Sequence, residues 1–303
     1  MKADIIILDG RHLLWRTVDA FGMLSAELGD VEVATGGIYG FLSVAIRIHQ
    51  RYGGRVIVAW EGRNNFRYKL YPEYKKKSEP DEERLEFIQE MIDQETRLKA
   101  ILRAIGVDQY RGIRCEADDV IGSLAHYYAE AKRRVVIYTG DSDLRQLVDD
   151  LVTVVAPGRR GNDTVFDEEA VIAKHEVSPP RLADLKALAG DSSDNIPGVK
   201  GVGPKTAAKL INAYGDIEDV IHAAKINGAA KPPWPVAERF REAIAEVEDD
   251  IRLFKKLTLI DGQRQMRRIE PKRDKKRVIR QLMAYKFRSL MAPAELNELM
   301  RMG

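Results

Sequence analysis

Short, unbroken apolar runs alternate with helix-periodic segments along the first half of the chain. Ile5-Ile6-Ile7-Leu8 is apolar at every position, as a strand buried on both faces requires, and it ends at Asp9-Gly10. Over 36–52, Ile38, Phe41, Leu42, Ala45, Ile46 and His49 fall on one helical face. Val56 to Trp60 predicts a second strand, closed by Glu61. Segment 62–78 (GRNNFRYKLYPEYKKKS) is polar, basic and aromatic, with no period of either kind. A helix is predicted over 80–105, opened by Pro80 and the acids Asp81, Glu82 and Glu83. Another follows Asp118-Asp119 to about residue 131.

Arg134 to Thr139 predicts a third strand, 144–149 a short helix, and Val152 to Val155 a fourth strand. The turn Pro157-Gly158-Arg159-Arg160-Gly161 then leads into Thr164-Val165-Phe166 as a hairpin partner. Strands alternating with helices predict an α/β fold with a mostly parallel central sheet over 1–170. From about 171 to 303 the pattern turns helical, predicting a smaller all-α region, with 227–235 (NGAAKPPWP) as a loop or insertion within it.

Composition excludes several classes. Hydrophobic residues make up 45% and charged residues 32%, which fits a folded chain and excludes a disordered one. Cys115 is the only cysteine, so no internal disulfide can form, and a small buried side chain is the ordinary reading of it. No apolar segment is long enough to span a membrane, and the N-terminus does not read as a signal peptide, so a cytoplasmic location is expected. Net charge is only +2, but it conceals segregation: Lys75-Lys76-Lys77 is basic, and 264–280 holds nine Lys or Arg against two acids. Such runs are usually solvated faces; beside an acidic cluster, nucleic-acid backbone becomes the stronger reading.

Nine acids supply that cluster: Asp9; Glu61; Glu116, Asp118 and Asp119; Asp141 and Asp143; and Asp191 and Asp194. Most of these packets stand where an apolar run gives way to a turn or helix, the edge at which a parallel sheet presents ligands. Any one packet could be a helix cap or turn, but five of one kind exceed what capping requires. Two unit charges about 4 Å apart interact by roughly 4 kcal/mol at an effective dielectric near 20, so such a cluster calls for cations. Oxygen-only ligands favour Mg²⁺ or Mn²⁺ over zinc, and paired ions suit phosphate-ester hydrolysis. The five histidines show no paired spacing and no Gly-x-Ser-x-Gly is present, so water is the expected nucleophile.

Residues 190–210 (GDSSDNIPGVKGVGPKTAAKL) carry a second motif. Glycines let backbone approach a ligand, and a helix beginning at Pro204 offers free N–H groups to a phosphate. Lys200 and Lys205 add charge without reading bases. Gly198, Gly203, Lys205 and Thr206 approximate a P-loop, but Pro204 separates glycine from lysine and the preceding segment is helical.

The segments ILDG, TGGIYGFL, EADDVIGSLA, TGDSDLRQLV and GDSSDNIPGVKGVGPKTAAKLI resemble the 5′-nuclease family. That family comprises the 5′→3′ exonuclease domain of bacterial DNA polymerase I and the stand-alone flap endonucleases of bacteria and phages. The resemblance implies a nuclease with a PIN-like domain, here of the free-standing form, cutting DNA near a single-strand/duplex junction or 5′ flap. It implies a first Mg²⁺ or Mn²⁺ ion among Asp9, Glu61, Glu116, Asp118 and Asp119, and a second among Asp141, Asp143, Asp191 and Asp194. It further implies an arch within 62–105, with Arg67, Tyr74 and Lys75 catalytic and Lys75 on the scissile phosphate. Lys76 and Lys77 would touch DNA. Residues 190–211 would form a helix-three-turn-helix holding duplex through Lys200, Gly201, Gly203, Lys205 and Thr206, with a potassium ion. A monomer is expected.

Two positions depart from the family pattern. Glu61 stands where Asp is usual, predicting re-tuned metal binding, and Ser78 stands where Arg is frequent. A DNA-binding protein with impaired catalysis is therefore one alternative, and a P-loop NTPase a second.

Overall fold

The computed structural model describes residues 2–226 and 233–303, so most of the 227–235 insertion lies outside the described residues. The element order begins β1 (Ile5–Asp9), α1 (Gly10–Phe21), β2 (Ser25–Leu28), β3 (Val31–Ala34), α2 (Gly36–Tyr52), β4 (Arg55–Trp60) and α3 (Arg67–Leu70). It continues with α4 (Glu82–Ile105), β5 (Asp108–Gly112), α5 (Ala117–Glu130), β6 (Val135–Tyr138), β7 (Val152–Ala156), β8 (Thr164–Phe166) and α6 (Glu168–His175). The last part holds α7 (Leu182–Ala189), α8 (Pro204–Tyr214), α9 (Ile217–Lys225), α10 (Arg239–Glu246), α11 (Glu248–Thr258), β9 (Met266–Ile269), α12 (Lys275–Ala284) and α13 (Pro293–Arg301).

Seven strands form one sheet in the order β8-β7-β6-β1-β4-β5-β9. The five inner strands are parallel, and β8 and β9 close the edges antiparallel. Side chains of a strand alternate between faces, and the core divides accordingly. Ile5, Ile7, Ile57, Ala59 and Ile137 face the helices α5 and α7 to α11. Ile6, Leu8, Val58, Trp60 and Tyr138 face α1, α2, α4, α12 and α13. Burial on both faces explains why β1, β4 and β6 read as continuous apolar runs.

The expected α/β sheet stands, and so do the strands and helices predicted up to residue 166. The region expected to be wholly helical differs. Its last forty residues return to the sheet as β9, and Val278, Leu282, Leu290, Leu299 and Met302 enter the core of the opposite face. Three further strands, β2, β3 and β5, lack a continuous apolar run. In β5, Asp108 and Gln109 are buried polar residues, satisfied by ion pairs from Arg55 and Arg268 and by a hydrogen bond from Trp60 Nε1 at 3.0 Å. No described helix is long and apolar enough to cross a membrane.

Because Leu299 is fully buried, Leu299→Ala should lower the unfolding free energy by about 2–5 kcal/mol in urea titrations. Met283→Ala, at a 61% exposed position, should change it by less than about 0.5 kcal/mol.

Candidate functional site

Parallel strands in the order β6-β1-β4-β5 bring four loops together at their carboxyl ends, and each carries acids. Asp9 ends β1 and caps α1; its Oδ2 accepts a hydrogen bond from Thr139 at 3.0 Å. Asp141 follows β6, receives the Asp143 N–H at 2.9 Å and donates its own N–H to Thr139 Oγ1. Glu116 caps α5, and Asp118 lies in that helix's first turn. These groups crowd one another. Burial, then the charges of Asp141, Asp9 and Glu116, push the Asp118 carboxyl well above its ordinary range. Asp9 is raised by burial as well.

A second group is built between β6 and the loop after α7. Asp143, Asp191 and Asp194 each offer an oxygen, and the three lie within 4.8 Å of one another. Lys186 on α7 donates to Asp191 at 2.6 Å and to Asp143. Asp143 is nevertheless pushed up to about 6, because burial and nearby Asp141 outweigh the ammonium. Asp191 is less deeply buried; burial works against its charge, but Lys186 and then Ser193, which donates twice, hold it below the usual carboxylate range. An all-oxygen donor set whose members resist ionising together fits hard divalent cations.

The segment between β4 and α4 bridges the two groups. Tyr74 OH lies 3.0 Å from both Glu116 Oε2 and Asp194 Oδ2. Lys75 Nζ lies 2.8 Å from Glu116 Oε1 and 3.7 Å from Asp194 Oδ1. Burial works against the Lys75 charge, but Glu116 and Asp194 override it and raise its pKa. Lys75 takes a left-handed φ of 51° while its N–H bonds the Asp194 carbonyl at 2.9 Å, so local strain marks the junction.

Three expected site residues, Arg67, Asp119 and Tyr74, are themselves engaged by these contacts. Arg67 is 2% exposed, and its guanidinium is taken up by both Asp119 oxygens at 2.6 and 2.8 Å and by the carbonyls of Leu257 and Leu259. Its donors are thus committed to Asp119 and to the end of α11. Asp119 is fully buried and also receives the N–H groups of Glu116 and Asp261, leaving no lone pair directed at the cluster. Tyr74 is 1% exposed, with its hydroxyl enclosed between the Glu116 and Asp194 carboxylates. Glu61 is diverted too: Arg11 pairs with it while also holding Glu95 at 3.0 Å.

Arg11, Lys75 and Lys77 line a cavity of about 990 Å³ beside the carboxylates, with Trp15, Tyr68 and Phe87 supplying aromatic walls. Lys77 has no ion-pair partner among the described residues, whereas Lys76 pairs with Glu73 at 2.9 Å. Sequence reasoning missed Lys186 and Arg11; nothing in their local sequence distinguishes them from other surface cations.

In the 190–211 motif, α7 and α8 are joined by tight turns. Gly198 (φ 64°) packs so closely that a Cβ would meet the Gly190 nitrogen at 2.2 Å. Gly201 also needs its positive φ of 80°. Gly203 differs: a Cβ there would meet nothing within 4 Å. Its glycine leaves the α8 N-terminus open to an outside group, flanked by exposed Lys200 and Lys205 and half-buried Thr206.

Comparisons with known proteins follow the same division. Residues 4–176 match the family described as 5′-3′ exonuclease, N-terminal resolvase-like domain, and 177–284 match its C-terminal SAM fold. The chain is 36% identical over 221 residues to a 5′-3′ exonuclease of Aquifex aeolicus, covering 72% of each. It is 31% identical over 267 residues to DNA polymerase I of Bacillus subtilis, covering 86% of this chain but only 28% of that protein. Among solved structures, the T5 5′-exonuclease with bound zinc superposes with a TM-score of 0.70 at 18% identity, covering 98% of this chain and 97% of that one. The catalytic core of Rad2 with DNA substrate gives 0.56 at 13% identity, covering 99% and 92%. At such low identities the likeness establishes the fold alone. With both domain matches joined end to end, the chain belongs to the 5′-3′ exonuclease family.

Proposed function

We propose that the chain is a divalent-metal-dependent, structure-specific 5′ nuclease, hydrolysing DNA phosphodiesters near 5′ flaps and single-strand/duplex junctions. The observation carrying this reading is the pair of carboxylate groups at one sheet edge, bridged by Lys75. Asp9, Glu116, Asp118 and Asp141 would hold one Mg²⁺ or Mn²⁺ ion, and Asp143, Asp191 and Asp194 a second. Paired cations there would lower the pKa of a water and screen the charge on the phosphate. Water attacks phosphorus, the bond to the 3′ oxygen breaks, and 5′-phosphate and 3′-hydroxyl ends result.

The residues of the chain prepare that step. The Lys75 ammonium, 31% exposed between Glu116 and Asp194, faces the cavity where a phosphate would lie. Tyr74, Arg67 and Lys186 fix the carboxylates around it. Lys76 and Lys77 would follow the incoming strand. Lys200, Gly201, Gly203, Lys205 and Thr206 would grip duplex backbone with a potassium ion in the turns, without reading bases. We infer a monomer acting in the cytoplasm.

The Zn²⁺-bound and DNA-bound relatives support this reading, as does the stand-alone exonuclease. Cleavage of a 5′-labelled flap duplex should require Mg²⁺ or Mn²⁺, stop with EDTA, and fall at least 1,000-fold in Asp141→Asn. Glu61→Gln should stay within about tenfold, since Glu61 is held by Arg11. Tight binding without cleavage would reject the nuclease reading, and ATP hydrolysis lost in Lys205→Ala would favour the P-loop alternative.

A pH test follows from Asp118. Its carboxyl is raised in the folded state, so the proton is bound more tightly folded than unfolded, and the stability it confers is lost as pH rises through the folded pKa. Without metal, Asp118→Asn should therefore melt above wild type at pH 7.5, and the difference should shrink on acidification. Mg²⁺ should stabilise wild type more than the variant.

A further inference from the structure

The basic stretch 264–280 is not uniform. Three of its nine cations are structural: Arg264 pairs with Asp261 at 2.7 Å, Arg268 with Asp108 at 2.7 Å, and Arg273 bonds carbonyls at the C-terminus. The other six, Arg267, Lys272, Lys275, Lys276, Arg277 and Arg280, are exposed, with no carboxylate within 4 Å among the described residues. Both acids of the stretch are occupied: Glu270 lies 3.5 Å from Arg268, and Asp274 caps α12.

This charge runs against what a helix prefers. The first turn of α12 has no acid and two lysines, against the helix dipole, whereas α4, α6, α9 and α11 all open with acids. Lys276 and Arg280 are also a like-charge pair at i, i+4, which weakens a helix. Asp274 at the N-cap is a single acid against this charge, and the excess points to an external anion.

The placement gives the anion a path. β9 pairs antiparallel with β5, with Met266 opposite Gly112 at the carboxylate edge and Ile269 opposite Gln109 nearer the far end. At that far end the Lys272 and Asp274 N–H groups bond the carbonyls of Arg103 and Ala104, at the end of α4. Exposed Arg114 follows β5 at the carboxylate edge, Arg267 lies on β9, Lys272 lies in the connection that follows, and Lys276 and Arg280 continue along α12. On α12 the i, i+4 step from Lys276 to Arg280 is about 6 Å along the axis, and with Arg114, Arg267 and Lys272 before it the charge forms a line, as a phosphate chain requires, rather than a point.

We propose that the β9–α12 face is a second nucleic-acid contact, holding the backbone of a substrate arm that leaves the carboxylate edge past β5. It rests on the nuclease reading and adds the surface that fixes the outgoing arm. No base is read, so the contact is sensitive to salt and arm length and indifferent to sequence.

The test compares wild type with Lys272→Gln/Lys276→Gln/Arg280→Gln on two flap substrates. One carries an arm of about 20 base pairs past the junction and the other about 5, roughly 17 Å at 3.4 Å per pair. With the long arm and Ca²⁺ in place of Mg²⁺, the variant should bind at least tenfold more weakly at low salt. Its log Kd against log salt slope should fall by about 2–3, near 0.9 for each phosphate that the variant leaves unneutralised. With the short arm, binding and cleavage should match wild type. Equal slopes for both proteins on the long arm would overturn the proposal, as would weaker binding to both substrates alike. Binding of the wild type, but not the variant, to phosphatidylserine vesicles with unchanged DNA slopes would reassign the face to a membrane surface. If neither protein cleaves yet the slopes differ as expected, the nuclease reading fails and this contact stands.

Discussion

Repulsion among carboxylates at one sheet edge is the constraint on which the rest of the molecule depends. Parallel pairing of β6, β1, β4 and β5 leaves no choice about where their loops emerge, and each loop brings acid. Burial raises the cost of ionising several of them together, as the raised Asp9, Asp118 and Asp143 carboxyls record. Lys75 and Lys186 offset part of that repulsion from inside the chain. The remainder is what divalent cations would neutralise.

Support comes from residues that never face the cavity. Arg67 and Asp119 form a buried bidentate pair that also secures carbonyls at the C-terminal end of α11, tying the helical region to the start of α5. Removing either partner would leave a buried charge alone, a larger penalty than the pair itself is worth. Tyr74 spans from Glu116 to Asp194 and sets the separation of the two acidic groups. Stiff support of this kind lets a loop act at a site that needs fixed geometry.

Much of this was legible in sequence. Apolar runs located β1, β4, β6 and β7 because each is buried, and the acids after them located the site. The 190–211 glycines announced tight turns, and positive φ at Gly198 and Gly201 bears that out. What stayed hidden depends on long-range partners. Nothing near Arg67 in the sequence shows that Asp119, 52 residues on, encloses it. Nor does anything near Glu61 in the sequence show that Arg11, 50 residues earlier, pairs with it. β5 and β9 lack an apolar run, one because its buried polar residues find partners, the other because Arg267 and Arg268 lie on an exposed edge. Charge alone could not separate the structural cations of 264–280 from the free ones.

The central claim is that two divalent ions occupy this edge in separate carboxylate groups. Anomalous diffraction from crystals soaked in Mn²⁺ tests it most directly. The account predicts two peaks about 4 Å apart or somewhat more, one among Asp9, Glu116, Asp118 and Asp141, the other among Asp143, Asp191 and Asp194. No peak at the edge, or a single ion held by Glu61 with Lys186 still seated between Asp143 and Asp191, would contradict it.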